Sequence, residues 1–288
     1  MYQLTQDVID SFSKIENERQ KHLITTLAAK LHEYIEDVQL SQNEWEMAID
    51  FLTRTGQMCH GQRQEYILLS DVMGISMLVD EINHHQHEKQ TPSTVFGPFF
   101  IPEMPVRDYG ASIVEHADTE TEQLPLLITG RVVDPDLNPI QNAKIEIWQT
   151  AENGMYSGQD AAQQLGNLRG IFYSQAQGEY AIQSIIPVSY QIPSDGPVGE
   201  LLNFSKRHFW RPAHIHFMIT AENHHRLVTH LFLKDDPYLE SDTVFGVKDA
   251  LIVDYQRCEY SAEMEQKFNI DSAYYKVDYQ FVLAKEQA

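Results

Sequence analysis

The chain has 288 residues, 42% of them hydrophobic and 22% charged, and a formal net charge of −21. That balance describes one large or two modest globular domains with a real core. The acidity excludes the basic footprint of a nucleic-acid binder and argues against docking on anionic lipid headgroups. No apolar run approaches the roughly 20 residues that cross a bilayer, and the N-terminal residues show no signal-peptide pattern. The two cysteines, Cys59 and Cys258, form neither a disulfide framework nor a metal knuckle. A cytoplasmic protein without membrane insertion is expected, and with no phosphate-binding glycine loop no nucleotide cofactor is expected.

Residues 1 to about 88 read as helical. Leu23, Leu27, Leu31 and Ile35 form one apolar stripe, and Ser41 with Glu44 makes a capping box ahead of Trp45, Ala48, Ile49 and Leu52. Further helices are expected over Gln62–Val72 and from Ile75 to about Asn83. Helix packing against helix accounts for these stripes, and a stripe too wide for one bundle would bury itself in a partner subunit. The tract His84, His85, His87 reads as a solvated helix end.

At Thr91-Pro92 the character changes. The segment 91–124, rich in Pro and Gly and then acidic from Glu115 to Glu122, reads as a structured connector. Beyond Pro125 the pattern is β: strands are expected at 126–133, 144–149, 180–183, 214–220, 227–233, 251–255 and 277–283, with turn clusters between them. His224 and His225 fall in a hairpin turn. The fold class is therefore α+β, with a helical domain over 1–90, the connector, and an antiparallel β-sandwich over 125–288.

The densest chemical signal lies in Arg211-Pro212-Ala213-His214-Ile215-His216-Phe217. Alternate residues of a strand share a face, so His214 and His216 can take adjacent positions on one metal. Tyr156, in Asn153-Gly154-Met155-Tyr156-Ser157, and Tyr190, in Pro187-Val188-Ser189-Tyr190-Gln191-Ile192-Pro193, could add phenolate oxygens. A mixed anionic N/O set of this kind suits ferric iron better than zinc, copper or magnesium.

These segments, with Leu168-Arg169-Gly170, Gly178-Glu179-Tyr180, Asp195-Gly196-Pro197, Gly130-Arg131-Val132-Val133-Asp134 and Ile145-Glu146-Ile147-Trp148-Gln149, resemble the intradiol ring-cleaving catechol dioxygenases over about residues 90–255. The N-terminal helices agree with that family only in general character. The resemblance implies one non-haem ferric iron per chain, bound by Tyr156, Tyr190, His214 and His216 with a hydroxide. It implies a catechol-type diol and dioxygen as reactants, Tyr190 as the base that takes a substrate proton, and Arg211 as a cation beside the developing negative charge. It also implies a homodimer built through the N-terminal helices, with a phospholipid between the copies.

Leu227-Val228-Thr229-His230-Leu231-Phe232, Asp235-Asp236-Pro237-Tyr238-Leu239 and Val244-Phe245-Gly246-Val247-Lys248 resemble the hydroxyquinol 1,2-dioxygenase branch, where simple catechol enzymes usually carry glutamine at the position of His230. His230 is then expected beside the iron. Val95, Phe96, Gly97, Pro98 and Phe99 of the connector, with Ile192 and Pro193, are expected to close the pocket. Asp80 is expected at its edge, accepting a hydrogen bond from the third hydroxyl of hydroxyquinol (benzene-1,2,4-triol). The competing readings are a catechol 1,2-dioxygenase, a non-catalytic transthyretin-like binding module, and a zinc or copper protein that uses the histidines alone.

Overall fold

A computed structural model describes residues 2–61, 63–84, 89–115 and 124–286. Gln62, His85, His87 and the acidic run 116–123 lie outside these described residues. The chain divides into two compact units, residues 1–54 and 55–288.

In the first unit, α1 (Gln3–Ser11) and α2 (Glu18–Val38) precede most of α3 (Gln42–Gln57). Asn17 caps α2 through a bond from the Gln20 N–H at 3.0 Å. The capping box forms as expected: the Ser41 N–H donates to Glu44 Oε2 at 2.8 Å, and the Glu44 N–H donates to Ser41 Oγ at 3.4 Å. The apolar stripe does not pack away within the chain. Leu23, Leu27 and Leu31 remain 52%, 53% and 51% exposed, and α2 has no fully buried residue.

The second compact unit begins at Thr55, so the helical stretch 1–90 spans both units, and α4 (Glu65–Val72) and α5 (Ile75–His84) bury Leu68, Val72 and Met77 against the β part. The β part holds β1 (Pro125–Val133), β2 (Lys144–Trp148), β3 (Arg169–Tyr173), β4 (Glu179–Ile185), β5 (Tyr190–Gln191), α6 (Pro197–Phe204), β6 (Trp210–Arg211), β7 (His214–Thr220), β8 (Leu227–Leu233), β9 (Ile252–Val253), β10 (Gln256–Cys258), α7 (Ala262–Phe268) and β11 (Tyr274–Val282). One sheet runs β10-β11-β1-β4, the other β3-β2-β7-β8-β9, and β5 pairs with β6 alone. Most pairings are antiparallel, as expected. Two are parallel, β1 with β11 and β8 with β9, because each later strand returns to its sheet after a long crossover.

Strand alternation builds the sandwich core. Leu126, Ile128, Val132, Tyr180, Ile182, Val277 and Phe281 of the first sheet meet Ile145, Ile147, Phe172, Ile215, Phe217, Ile219 and Leu231 of the second. The intervening residues of the second sheet, among them Trp148 and Met218, join a separate buried cluster with residues of α4, α5, α6 and the connector. The second sheet is thus covered on both sides. Phe217, fully buried and packed 5.0 Å from the Phe281 ring, ties the two sheets together. Phe217→Ala should destabilise the fold by about 3–5 kcal/mol in denaturant unfolding; a loss below about 1 kcal/mol would contradict this packing.

Candidate metal centre

His214 and His216 alternate with Ile215 and Phe217 on β7, so their imidazoles leave the sandwich core for the covered outer face. Across the sheet, Trp148 of β2 pairs with His216, and His216 pairs with His230 of β8. These three aromatic residues form one cross-strand row. Trp148 stacks on His216 at 4.7 Å, and His230 meets it edge-on at 4.1 Å.

The tyrosines arrive from loops. Tyr156 follows β2 in a turn held locally, its N–H bonded to Gln159 Oε1 at 3.0 Å and the Met155 N–H to Asn153 Oδ1 at 3.0 Å. Gly154, at φ +76°, brings bare backbone against Tyr190, where an added Cβ would lie 3.1 Å from the Tyr190 Cβ. Tyr190 itself stands opposite Arg211 in the β5–β6 pair.

Four donor atoms converge. Tyr156 Oη lies 2.9 Å from His216 Nε2 and 3.3 Å from Tyr190 Oη, and His214 Nε2 lies 3.1 Å from His216 Nε2. Two metal bonds of about 2.1 Å meeting at a right angle put their donors about 3.0 Å apart, so these separations fit neighbouring positions on one ion. The His214 Nδ1–H donates to the Pro212 carbonyl at 2.7 Å, which leaves Nε2 its lone pair. His216 Nδ1 and both His230 ring nitrogens are buried without a well-formed hydrogen bond. The three imidazoles also group within 4.8 Å, a set that could hold a metal without the phenols.

The electrostatics agree with a cation site. Burial, with Arg211 nearby, holds all three histidines well below the usual imidazole range, so they are neutral and able to ligate. Burial, reinforced by Tyr190, pushes the Tyr156 phenol well above its usual range, so only a strong local cation would make it a phenolate. Arg211 is buried. Its charge is opposed by burial but held by Asp242 through bonds of 3.1 and 3.2 Å, and its Nη1–H lies 3.2 Å from His214 Nε2. It is a buried ion pair at the donor cluster, not a surface one.

The connector closes over these groups. The Phe99 ring stacks on Tyr156 at 4.7 Å, Phe96 lies 6.0 Å from Trp148, and Val95 and Ile192 join the same buried cluster. Gly97, at φ +75°, comes so close that an added Cβ would lie 3.2 Å from His216 Cε1. Pro98 and Pro193 are half-buried and carry no polar contact to the donors.

Asp80 is buried, and its carboxylate already holds Ser93 Oγ at 2.8 Å, Lys248 Nζ at 3.3 Å and His84 Nδ1 at 2.9 Å. That occupancy leaves a direct bond to a substrate hydroxyl unsupported and makes Asp80 an anchor for the connector. Its partner Lys248 lies 168 residues away in sequence, so nothing local announced it. Trp148 and Arg169, which stand in segments that carry the resemblance but receive no role from it, and Asp242, which no quoted segment includes, are further participants; an aromatic and an arginine inside otherwise apolar strand segments are the available signals. A cavity of about 530 Å³ borders the centre through Asp242, walled by Lys206, Phe245 and Asp249, and contains none of the donors.

Residues 95–284 match the family described as Dioxygenase, and residues 17–91 match the Catechol dioxygenase N terminus. The chain belongs to the intradiol dioxygenase family. This intradiol dioxygenase is 41% identical to hydroxyquinol 1,2-dioxygenase of Rhizobium sp. (strain MTP-10005), covering 96% of this chain and 93% of the relative. It is 34% identical to catechol 1,2-dioxygenase of Candida albicans, covering 99% and 92%. Its fold is similar to the crystal structure of hydroxyquinol 1,2-dioxygenase from Pseudomonas putida DLL-E4, with a TM-score of 0.88, 48% identity and 98% of each chain covered. Non-haem iron is what this family implies, and the buried phenol and imidazole donors fit it. Because an added Cβ at Gly97 would press on the His216 ring and φ there is positive, Gly97→Ala should weaken metal retention about 10- to 100-fold, the scale of lost ligand support. Metal content after dialysis against a chelator measures this; full retention would show that the connector does not press on the centre.

Proposed function

We propose that this dioxygenase cleaves hydroxyquinol between its adjacent hydroxylated carbons, with one ferric ion per chain held by Tyr156, Tyr190, His214 and His216. Both atoms of dioxygen enter the product, 3-hydroxy-cis,cis-muconate or its keto form maleylacetate. The convergence of two phenol oxygens and two imidazole nitrogens in one buried space carries this reading. The relatives named for hydroxyquinol support the substrate.

Ferric iron at this position would supply the Lewis acidity that draws electron density from a bound diol ring and opens one of its two adjacent oxygen-bearing carbons to dioxygen. The chain does the rest. Tyr190, a phenolate in this reading, takes a substrate hydroxyl proton at Oη and becomes the neutral phenol. Arg211, fixed by Asp242 and by the β5–β6 pairing, holds positive charge where the substrate oxygens become negative. Val95, Phe96, Gly97, Pro98, Phe99, Ile192 and Pro193 wall the ring and keep water out. His230 backs both ligand imidazoles, 4.7 Å from His214 and 4.1 Å from His216, and so fixes their planes. Asp80, through Ser93 and Lys248, sets the position of the wall.

An anaerobic visible titration with hydroxyquinol and with catechol tests this reading. A red-brown protein whose phenolate-to-iron absorption shifts at far lower hydroxyquinol than catechol concentration is the expected result. Preferential response to catechol would move the substrate to catechol and leave the chemistry in place. A protein that stays colourless after ferric reconstitution would overturn the ligand set and favour a binding module of the same fold.

We also propose a homodimer through the exposed apolar residues of α2 and α3, including Leu27, Leu31, Tyr34, Trp45, Ile49 and Leu52. The same surface offers room for phospholipid acyl chains between copies. Light scattering should give twice the chain mass and Leu27→Glu with Leu31→Glu should halve it, while solvent extraction reads out lipid; a monomeric parent protein would end the proposal. Among the described residues no helix is long and apolar enough to cross a membrane, and two free cysteines support a cytoplasmic location.

A further inference from the structure

Arg169, the first residue of β3, is one of the largest side chains sealed inside the molecule, at 1% exposure. Its Nε–H donates to Ser157 Oγ at 2.8 Å, and Nη1 donates to the Phe99 carbonyl at 2.8 Å. Nη2 has no partner. Among the described residues no carboxylate bonds to this guanidinium. A cation buried without a counter-ion is strongly unfavourable, and neutral carbonyl and hydroxyl acceptors do not cancel its charge.

The group beside it that can become an anion is Tyr156. The guanidinium carbon lies 5.7 Å from the centroid of the Tyr156 ring. The fork also grips both sides of that tyrosine's setting. Ser157 is the next residue in the chain, its hydroxyl donating onward to the Leu165 carbonyl at 2.9 Å. Phe99 is the residue whose ring stacks on Tyr156. One side chain therefore holds the loop that presents the phenol and the aromatic wall that covers it.

We propose that Arg169 is the counter-ion of the Tyr156 phenolate and the positioning residue that sets its orientation and its donor strength toward the metal. This rests on the reading of Tyr156 as a metal-bound phenolate. The charge-transfer transition of such a centre moves an electron from the phenolate to the metal. A fixed cation over the phenolate ring stabilises the starting state and raises the transition energy.

The test uses the full chain reconstituted with ferric iron, as wild type, Arg169→Lys and Arg169→Gln, reading iron content and the position of the charge-transfer absorption. The expected result is a red-shifted band and reduced iron content in Arg169→Gln, with Arg169→Lys restoring the band toward the wild-type position because it restores the charge. A band unmoved in Arg169→Gln at full iron content overturns the proposal, as do equal shifts in both variants, which would reduce Arg169 to a packing role. Should Arg169→Gln fail to fold, Ser157→Ala replaces it, since it frees the Nε end and lets the guanidinium leave the ring. A red-shifted band there supports the proposal, and an unmoved one overturns it. Wild-type protein without any such band would overturn the ligand reading itself, an outcome distinct from every variant result.

Discussion

The centre depends on one opposition of forces. Burial strips water from the Tyr156 phenol and three imidazoles, and in doing so makes the Tyr156 phenolate and each imidazolium unfavourable. Left to themselves these groups would stay neutral, with the Oη and Nε2 atoms of the cluster set against one another at 2.9 to 3.3 Å. On the proposed reading a ferric ion would relieve this: the phenols of Tyr156 and Tyr190 would bind as anions, and His214 and His216 would give their Nε2 lone pairs. The dryness that penalises the charged form of each donor singly would then favour a highly charged cation over a proton.

The sandwich supplies that dryness by using both faces of one sheet. Ile215, Phe217 and Ile219 fill the core, while His214 and His216 between them reach the opposite cover. The register is therefore tightly specified, since a slip of one residue on β7 would send imidazoles into the core and isoleucine to the metal. The row Trp148–His216–His230 adds a lateral constraint, because the flat neighbours on β2 and β8 limit how the central imidazole can rotate. Gly97 and Gly154 complete the enclosure at positive φ, with backbone so near that an added Cβ would press on His216 and Tyr190.

The motif residues were readable before the structure because their spacing is local. His214-Ile215-His216 obeys strand alternation, and the tyrosines sit in turn sequences with Gly and Pro. The strands 126–133, 214–220 and 227–233 were read nearly residue for residue for the same reason. What escaped was non-local or atypical in pattern. β3 begins with a buried arginine and continues through Gly170, so it shows no apolar alternation. α6 starts inside Asp195-Gly196-Pro197, which reads as a turn, and α7 is too short and too charged to display a stripe. The role of Asp80 depended on Lys248, and that of Arg169 on Phe99 and Ser157. No window of neighbouring residues contains those pairs.

The parallel pairing of β1 with β11 has a consequence for the order in which the molecule can form. Partners in that pair stand as far apart as Thr129 and Asp278, 149 residues. β1 lies inside its sheet, between β4 and β11, so it stays an open edge until β11 has been made and has returned. All four proposed ligands and the strands β2, β3, β7 and β8 are synthesised earlier, between Lys144 and Leu233. During synthesis the donor-bearing sheet is therefore complete but for the short β9 while the sheet that backs it still lacks β10 and β11, and the growing chain exposes unpaired β1 backbone and apolar core together. Closure of that gap is a long-range event with a high loop-closure entropy, which makes the arrival of β11 the step that separates a collapsed chain from one able to hold its donors in register.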